Sequence, residues 1–358
     1  MKLSEIEKPV FIVSKTGVDK NIRRMQAKAA KHKLIFRPHF KTHQSPDIGN
    51  LFKTHGITKI AVSNLDMAYT FQRDGFRDIC LAILFNPRQA YHLQALSRST
   101  GFCIVLESGA FIKKLNLHCH GMVDVMVKID TGARRTGLAV HDYEKINELI
   151  LKIRASNKLR FKGFLVHDGH TYQAESIKEI SSIHKNSLQQ LRNLKTEFSA
   201  YAPLISIGDT PSASICTDFS GADELRPGNF VYYDYMQYKL GSCRFNDIAC
   251  FLAAPVLSVH PGQKKIVIHC GAVHLSKEKS MSDSGQEHYG EVVIPDENMH
   301  IKRLQPRAYL TRLSQEHGII TTENSVINRL KPGDIIGVIP IHACLTANLM
   351  FNNTIFIL

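Results

Sequence analysis

Arg37, His39, Lys41 and His43 fall within the eight-residue stretch FRPHFKTH, directly after an apolar run. An amine in that position is either a solvated strand end or a reactive nucleophile. Further polar clusters follow: DTGARRTG at 130–137, HDGHTY at 167–172, GDTPSAS at 208–214 and RPGN at 226–229. Gly208 with the hydroxyls of Thr210 and Ser212, together with the backbone N–H groups of Gly228 and Asn229, could cradle an anion such as phosphate. Near the carboxyl end, PIHAC holds His342 and Cys344 with one residue between them. On a strand both side chains would share a face, because the side-chain period is two. That pair reads as two ligands of a divalent metal with open positions left over, or as a packed histidine beside a small buried thiol. His167 and His170 are three apart, a spacing that suits two ligands on a helix, whereas this piece leaves a strand.

The elements that must position these groups alternate in type. Apolar, β-branched runs occur at 34–40, 57–62, 78–84, 102–108, 123–129, 161–167, 204–208 and 229–234, with amphipathic segments between most of them. Eight strands alternating with helices predict an α/β chain with an N-terminal (β/α)₈ TIM-like barrel, whose chemistry sits at the carboxyl ends of the strands. The polar clusters fall at those ends. A doubly wound open sheet would instead carry a glycine-rich turn after its first strand, and RPHFKTH has no glycine. After about residue 247 strands follow one another through turns such as HPGQ, which predicts a second, mainly antiparallel β domain. The expected division is 10–247 for the barrel and 248–358 for the β domain, the latter joined by the N-terminal segment 1–9. A lysine at the first strand facing a phosphate cradle suits pyridoxal phosphate, whose aldehyde the amine takes as a Schiff base while the phosphate anchors the ring.

The chain has 358 residues, 44% hydrophobic and 22% charged, and a net charge of +13. Such a charge raises the question of nucleic acid, but the basic residues are spread along the chain and form no arm, so the reading is a basic surface on a soluble protein, or in a functional variant a cationic funnel for small anions. The 8 cysteines include no C-x-x-C pair and most lie in apolar strands, which predicts reduced thiols in a cytoplasmic protein. No stretch approaches 18 continuous apolar residues, so no membrane span is expected.

At these residues the sequence resembles the D-threonine aldolase and D-serine dehydratase family, the fold type III pyridoxal phosphate enzymes related to alanine racemase. The matching pieces are RPHFKTH, VKIDTGARRTG, GFLVHDGHTY, IGDTPSAS, ELRPGNFVYYD, SQEHG and PIHACLTANL, in family order. The resemblance implies a homodimer acting on a small D-amino acid. It makes Lys41 the Schiff-base lysine and places Arg135 near the cofactor ring. His167 and Tyr172 would line the site, and Gly208, Thr210, Gly228 and Asn229 would hold the phosphate. His342 and Cys344 match the pair that binds a divalent metal, zinc in the dehydratases. The aldolase branch carries an aspartate where Cys344 stands, and a thiolate is softer and favours zinc. Gln44, Asp209, His269 and Ile341 depart from the family pattern, and Asp209 would repel a phosphate unless its side chain turns away.

The expected activity is that of a lyase. Lys41, its pKa lowered by burial and by neighbouring cations, would take the α-proton of a 3-hydroxy D-amino acid. The metal would make the β-hydroxyl a better leaving group, and loss of water would give a 2-oxo acid and ammonia. Retro-aldol cleavage of the Cα–Cβ bond and racemisation are the alternatives.

Overall fold

The structure, a computed structural model, describes residues 2–98 and 101–358. It contains two compact units. One comprises Ile22–Phe230 with Leu240–Ser242, and the other runs up to Asn21 and adds Val231–Lys239 and Cys243–Leu358.

The first unit is a parallel barrel. Its strands, in chain order, are Ile35–Phe36, Lys59–Val62, Asp78–Leu84, Cys103–Leu106, Val123–Asp130, Leu159–Leu165, Leu204–Ile207 and Glu224–Leu225; the second to eighth are each paired with their sequence neighbours in that series, and the eighth pairs with the first. A parallel bridge between His39 and Ala61 joins the remaining two edges: Ala61 N–H donates to Pro38 O at 2.9 Å and Phe40 N–H to Ala61 O at 2.8 Å. The turns into the helices carry side-chain caps. Ser45, Asn64, Asp142, Ser176 and Asp209 each accept a backbone N–H of the first turn, which satisfies donors a helix start leaves open.

Two of the expected strands are corrected. The eighth is Glu224–Leu225 and not 229–234, where Asn229–Val231 is a 3₁₀ turn. Arg226 N–H still reaches Ile207 O at 2.8 Å, but Pro227 has no N–H and ends the ladder. The first strand shrinks to Ile35–Phe36 because Pro38 likewise cannot donate.

Inside the barrel the packing is tight and partly polar. Ala61, Cys80, Cys103, Val105, Met126 and Leu165 form one buried cluster. Beside it Arg37, 2% exposed, donates to Glu224 Oε2 at 2.7 Å and to Asp78 Oδ1 at 2.7 Å, and reaches the carbonyl of Ile60 at 3.3 Å. Burial works against its charge, and Glu224, Cys80 and Asp78 more than offset that. Ser206 Oγ donates to the other Glu224 oxygen at 2.6 Å, and Arg226 donates to Ser206 Oγ and to the carbonyl of Val166. Arg37, the first cation of FRPHFKTH, is therefore a bolt across the closing seam.

The second unit is a mostly antiparallel sheet in the order Lys265–His269, His317–Thr321, Ile301–Leu313, Gly290–Pro295, Ile335–Pro340, Cys250–His260, Val10–Ser14 and Thr354–Ile357. Lys265–His269 also pairs with Cys250–His260, so the first six form a ring. Only Val10–Ser14 and Thr354–Ile357 run parallel. Phe11, Leu252, Val292, Leu310, Ile320 and Val338 are buried in it. Among the described residues no disulfide joins any of the cysteines, and no helix is long and apolar enough to cross a membrane.

Arg37→Met would leave Glu224, 1% exposed, without its charged partner. It is expected to cost about 3–5 kcal/mol of stability, read from urea unfolding of the barrel. A loss under about 1 kcal/mol, the range of an exposed pair, would show the bolt to be dispensable.

Candidate active site

The carboxyl ends of the barrel strands gather an unusual density of cations. Lys41 follows the His39–Ala61 bridge, and its backbone N–H donates to His39 Nδ1 at 3.3 Å. The Lys41 side chain is exposed, which corrects the expectation that burial poises it. The neighbouring His43 is different. It is buried, its ring packs against Phe40 and Phe52, and burial pushes its pKa down to about 3. Of the two histidines in the motif, one thus bonds the backbone of Lys41 and the other is packing.

Asp130 folds the next loop by accepting the N–H groups of Gly132 at 2.9 Å and Arg134 at 3.1 Å. Arg134, at a positive φ, and Arg135 are both exposed. Thr131 Oγ1 ties the loop to Asp168 at 2.6 Å. His167 is half-buried, and its Nδ1 donates to the Gly208 carbonyl. Burial lowers its pKa to about 3, aided by the charges of Lys41, Arg135 and Lys128 and opposed by the Gly208 bond. The His167 and Tyr172 rings lie 6.3 Å apart. His39 is held well below its usual value by burial and then by Lys41, Arg226 and His167. The shifts of His39 and His167 thus place the charges of Lys41 and Arg135 in their electrostatic neighbourhood.

Lys128 belongs to it as well, although the sequence reading passed it over. It is 6% exposed, and burial with Arg226 and Arg135 lowers its pKa to about 7. The signal was present: a lysine in the otherwise apolar run VMVKI, on a strand buried along nearly its whole length. Asp168 and Arg226, both buried, were missed because nothing in their local sequence reveals partners on other strands.

The proposed anion cradle has a definite form. A Cβ on Gly208 would stand 2.7 Å from the Arg226 carbonyl, and one on Gly228 would stand 3.1 Å from the His39 carbonyl and 3.2 Å from Thr42 Oγ1. Both glycines therefore let the loops after the seventh and eighth strands close on each other and on the Lys41 loop. Thr210 is fully buried, its Oγ1 has no hydrogen-bond partner among the described residues, and its N–H donates to Tyr172 Oη at 3.2 Å. Asp209 turns away from the cradle. Its Oδ1 caps the helix Thr210–Ile215 through Ser212 N–H at 2.7 Å and accepts from Thr171 Oγ1 at 3.0 Å. An orphaned buried hydroxyl amid surplus positive charge fits a phosphate.

His342 and Cys344 lie in the second unit, and not on a strand as expected. The strand ends at Pro340, His342 occupies the position before the helix Ala343–Leu349, and Cys344 is in its first turn. On an extended strand the two would stand roughly 6.6 Å apart along the chain. The turn closes that gap, and the sulfur comes within hydrogen-bond reach of the imidazole. Asp234, fully buried, fixes the turn by accepting Ala343 N–H at 2.9 Å and Gln237 N–H at 2.9 Å. Glu278 Oε2 accepts from His342 Nδ1 at 3.0 Å. Burial works against the imidazolium, but the bonds to Cys344 and Glu278 outweigh it and hold the pKa up at about 11. A thiol and an imidazole with its other nitrogen on a carboxylate form a donor set that fits zinc.

A second group converges in the same unit. His269, His274 and Glu316 bring one potential ligand atom each within 4.8 Å of one another. Gly271 N–H donates to His274 Nδ1 at 3.1 Å, so the ring proton of neutral His274 sits on Nε2, the nitrogen 4.0 Å from Glu316. A metal there would have to displace that proton or break that bond.

Two family models match the chain: the alanine racemase N-terminal domain over residues 13–236 and the putative serine dehydratase domain over residues 249–355. The chain belongs to the fold type III pyridoxal phosphate enzymes of the D-serine dehydratase and D-threonine aldolase family. It is 27% identical to D-serine dehydratase of Dictyostelium discoideum, across 96% of this chain and 92% of that one. It is 25% identical to D-threo-3-hydroxyaspartate dehydratase of Delftia sp. strain HT23, again across 96% and 92%. A cysteine-to-alanine mutant of the D-threo-3-hydroxyaspartate dehydratase, solved in the metal-free form, superposes with a TM-score of 0.88 at 23% identity, over 98% of this chain and 94% of that one. D-threonine aldolases are also among the relatives of this family.

Burial, with the charge of Asp168, pushes Asp209 up to about 7, against the bonds from Ser212 and Thr171. Its folded pKa lies above the unfolded value of about 4, so the folded state binds the extra proton and stability falls as pH rises between about 4 and 7. Asp209→Asn keeps a capping oxygen and removes the charge. Its melting temperature, relative to wild type, is expected to gain as pH is raised from 4 to 8. A difference independent of pH would refute the assignment.

Proposed function

We propose that this protein is a pyridoxal phosphate-dependent lyase that removes water from a 3-hydroxy D-amino acid and releases a 2-oxo acid and ammonia. The observation that carries this reading is the thiol of Cys344 beside His342, a soft pair that favours zinc, in a chain whose barrel mouth is lined with cations. Lys41 would hold the cofactor through its amine, with Arg135, His167 and Tyr172 lining it and Gly208, Thr210, Gly228 and Asn229 around its phosphate. When bound, the cofactor supplies an electron sink for charge developing at the substrate Cα. Zinc or another divalent metal, if held by His342 and Cys344, would supply Lewis acidity toward the β-hydroxyl as a leaving group. Lys41 Nζ takes the α-proton and holds it. His167, with Nδ1 committed to Gly208 and a pKa of about 3, stays neutral and does not compete for that proton. Arg135 and Lys128 favour an anionic substrate by their charge. We place the working form as a cytoplasmic homodimer, checked by light scattering.

The test is to incubate the cofactor-loaded protein with D-serine, D-threonine and D-3-hydroxyaspartate, with and without chelator. Ammonia and an oxo acid are expected, lost on chelation and restored by zinc. Glycine with an aldehyde would make it an aldolase, and the L-enantiomer a racemase. Lys41→Ala is expected to lose the yellow colour and at least roughly 10²–10⁴-fold in rate. Borohydride reduction should leave a pyridoxyl adduct on the Lys41 peptide, and an adduct elsewhere would overturn the assignment.

A further inference from the structure

We propose that Glu278 is a positioning residue for the metal pair. By accepting the Nδ1 proton of His342 it fixes the tautomer and ring plane that present Nε2 beside the Cys344 sulfur. This rests on the reading of His342 and Cys344 as metal ligands. A carboxylate oxygen can only accept, so the 3.0 Å bond commits a proton to Nδ1 and leaves Nε2, which gives up its own proton when a metal binds, as the coordinating nitrogen. Without that partner both tautomers are open and the ring is free to turn, and the ordering cost falls on metal binding.

The segment that carries Glu278 is built to hold it there. Glu278 lies between the short helix Ala272–Leu275 and the strand Ser280–Met281. Its own N–H donates to Ser276 Oγ at 3.3 Å, and Thr346 Oγ1, on the helix that bears Cys344, donates to the Leu275 carbonyl at 3.4 Å. The next charged residue, Lys279, is committed to Glu287. Glu278 is 64 positions from His342 in sequence, so the bond is a product of the fold rather than of local chain geometry. With 37% of its side chain exposed, its loss leaves no buried cavity.

The test uses the full-length, cofactor-loaded chain stripped of metal by chelator and titrated with cobalt(II), whose charge-transfer absorption reports a thiolate ligand. Wild type is expected to develop the band, and Cys344→Ala to lack it. Glu278→Ala should reach the same band at saturation but need roughly 10–100-fold more cobalt. Glu278→Gln, whose carbonyl oxygen can accept the same proton, should recover most of the affinity. The melting temperatures of the metal-free proteins should agree. Equal cobalt affinity of Glu278→Ala and wild type would overturn the inference while leaving the metal reading intact. So would a glutamine variant as weak as the alanine variant with both melting early, since that outcome marks a purely structural role. Absence of the band in wild type would instead overturn the metal reading, and this inference with it.

Discussion

The barrel depends on an ionic chain that is buried except at Asp78, whose side chain is 22% exposed. It runs from Asp78 through Arg37 to Glu224, then through Ser206 to Arg226 and the Val166 carbonyl. Each member would be costly alone in that interior, and together they satisfy one another. The chain also reaches the site. The Arg226 carbonyl is the surface against which Gly208 must pack, and the Arg226 charge lowers the pKa of both Lys128 and His39. Closure of the barrel and the electrostatics of its mouth thus share one residue.

That mouth is poor in compensating negative charge. Burial, aided by the charges of Lys41, Lys128, Arg135 and Arg226, pushes His39 and His167 into their neutral forms, while Asp168 and Asp130 favour the charged form of Lys128. Asp209, the departure that threatened a phosphate, spends its carboxylate on a helix cap. A site in this state favours anions through its charge and through a buried hydroxyl left open on Thr210. The two histidines that flank the amine remain lone-pair acceptors rather than competing cations.

In the second unit the deciding constraint is backbone geometry. A strand that ends at Pro340 and turns at once into a helix brings His342 and Cys344 together, and Asp234 and Glu278 hold that turn from two other segments. The two side chains therefore meet across a helix start and not along one face of a strand, as a period of two would have them.

By itself the sequence determined what its local patterns encode. Alternating apolar runs and capped helices specified a barrel followed by a β domain, and the polar clusters marked the strand ends where Lys41, Arg135 and His167 stand. It singled out Lys41 and the His342–Cys344 pair as candidates by motif, but not their surroundings. Only the tertiary structure decided that Lys41 is exposed, that Arg37 and His43 are structural, that the eighth strand is Glu224–Leu225, and that Lys128, Asp168, Arg226 and Glu278 join the two clusters. The reason is physical. Periodicity and capping act within a few residues, whereas a buried charge or a metal ligand is defined by partners that the chain supplies from far away in sequence.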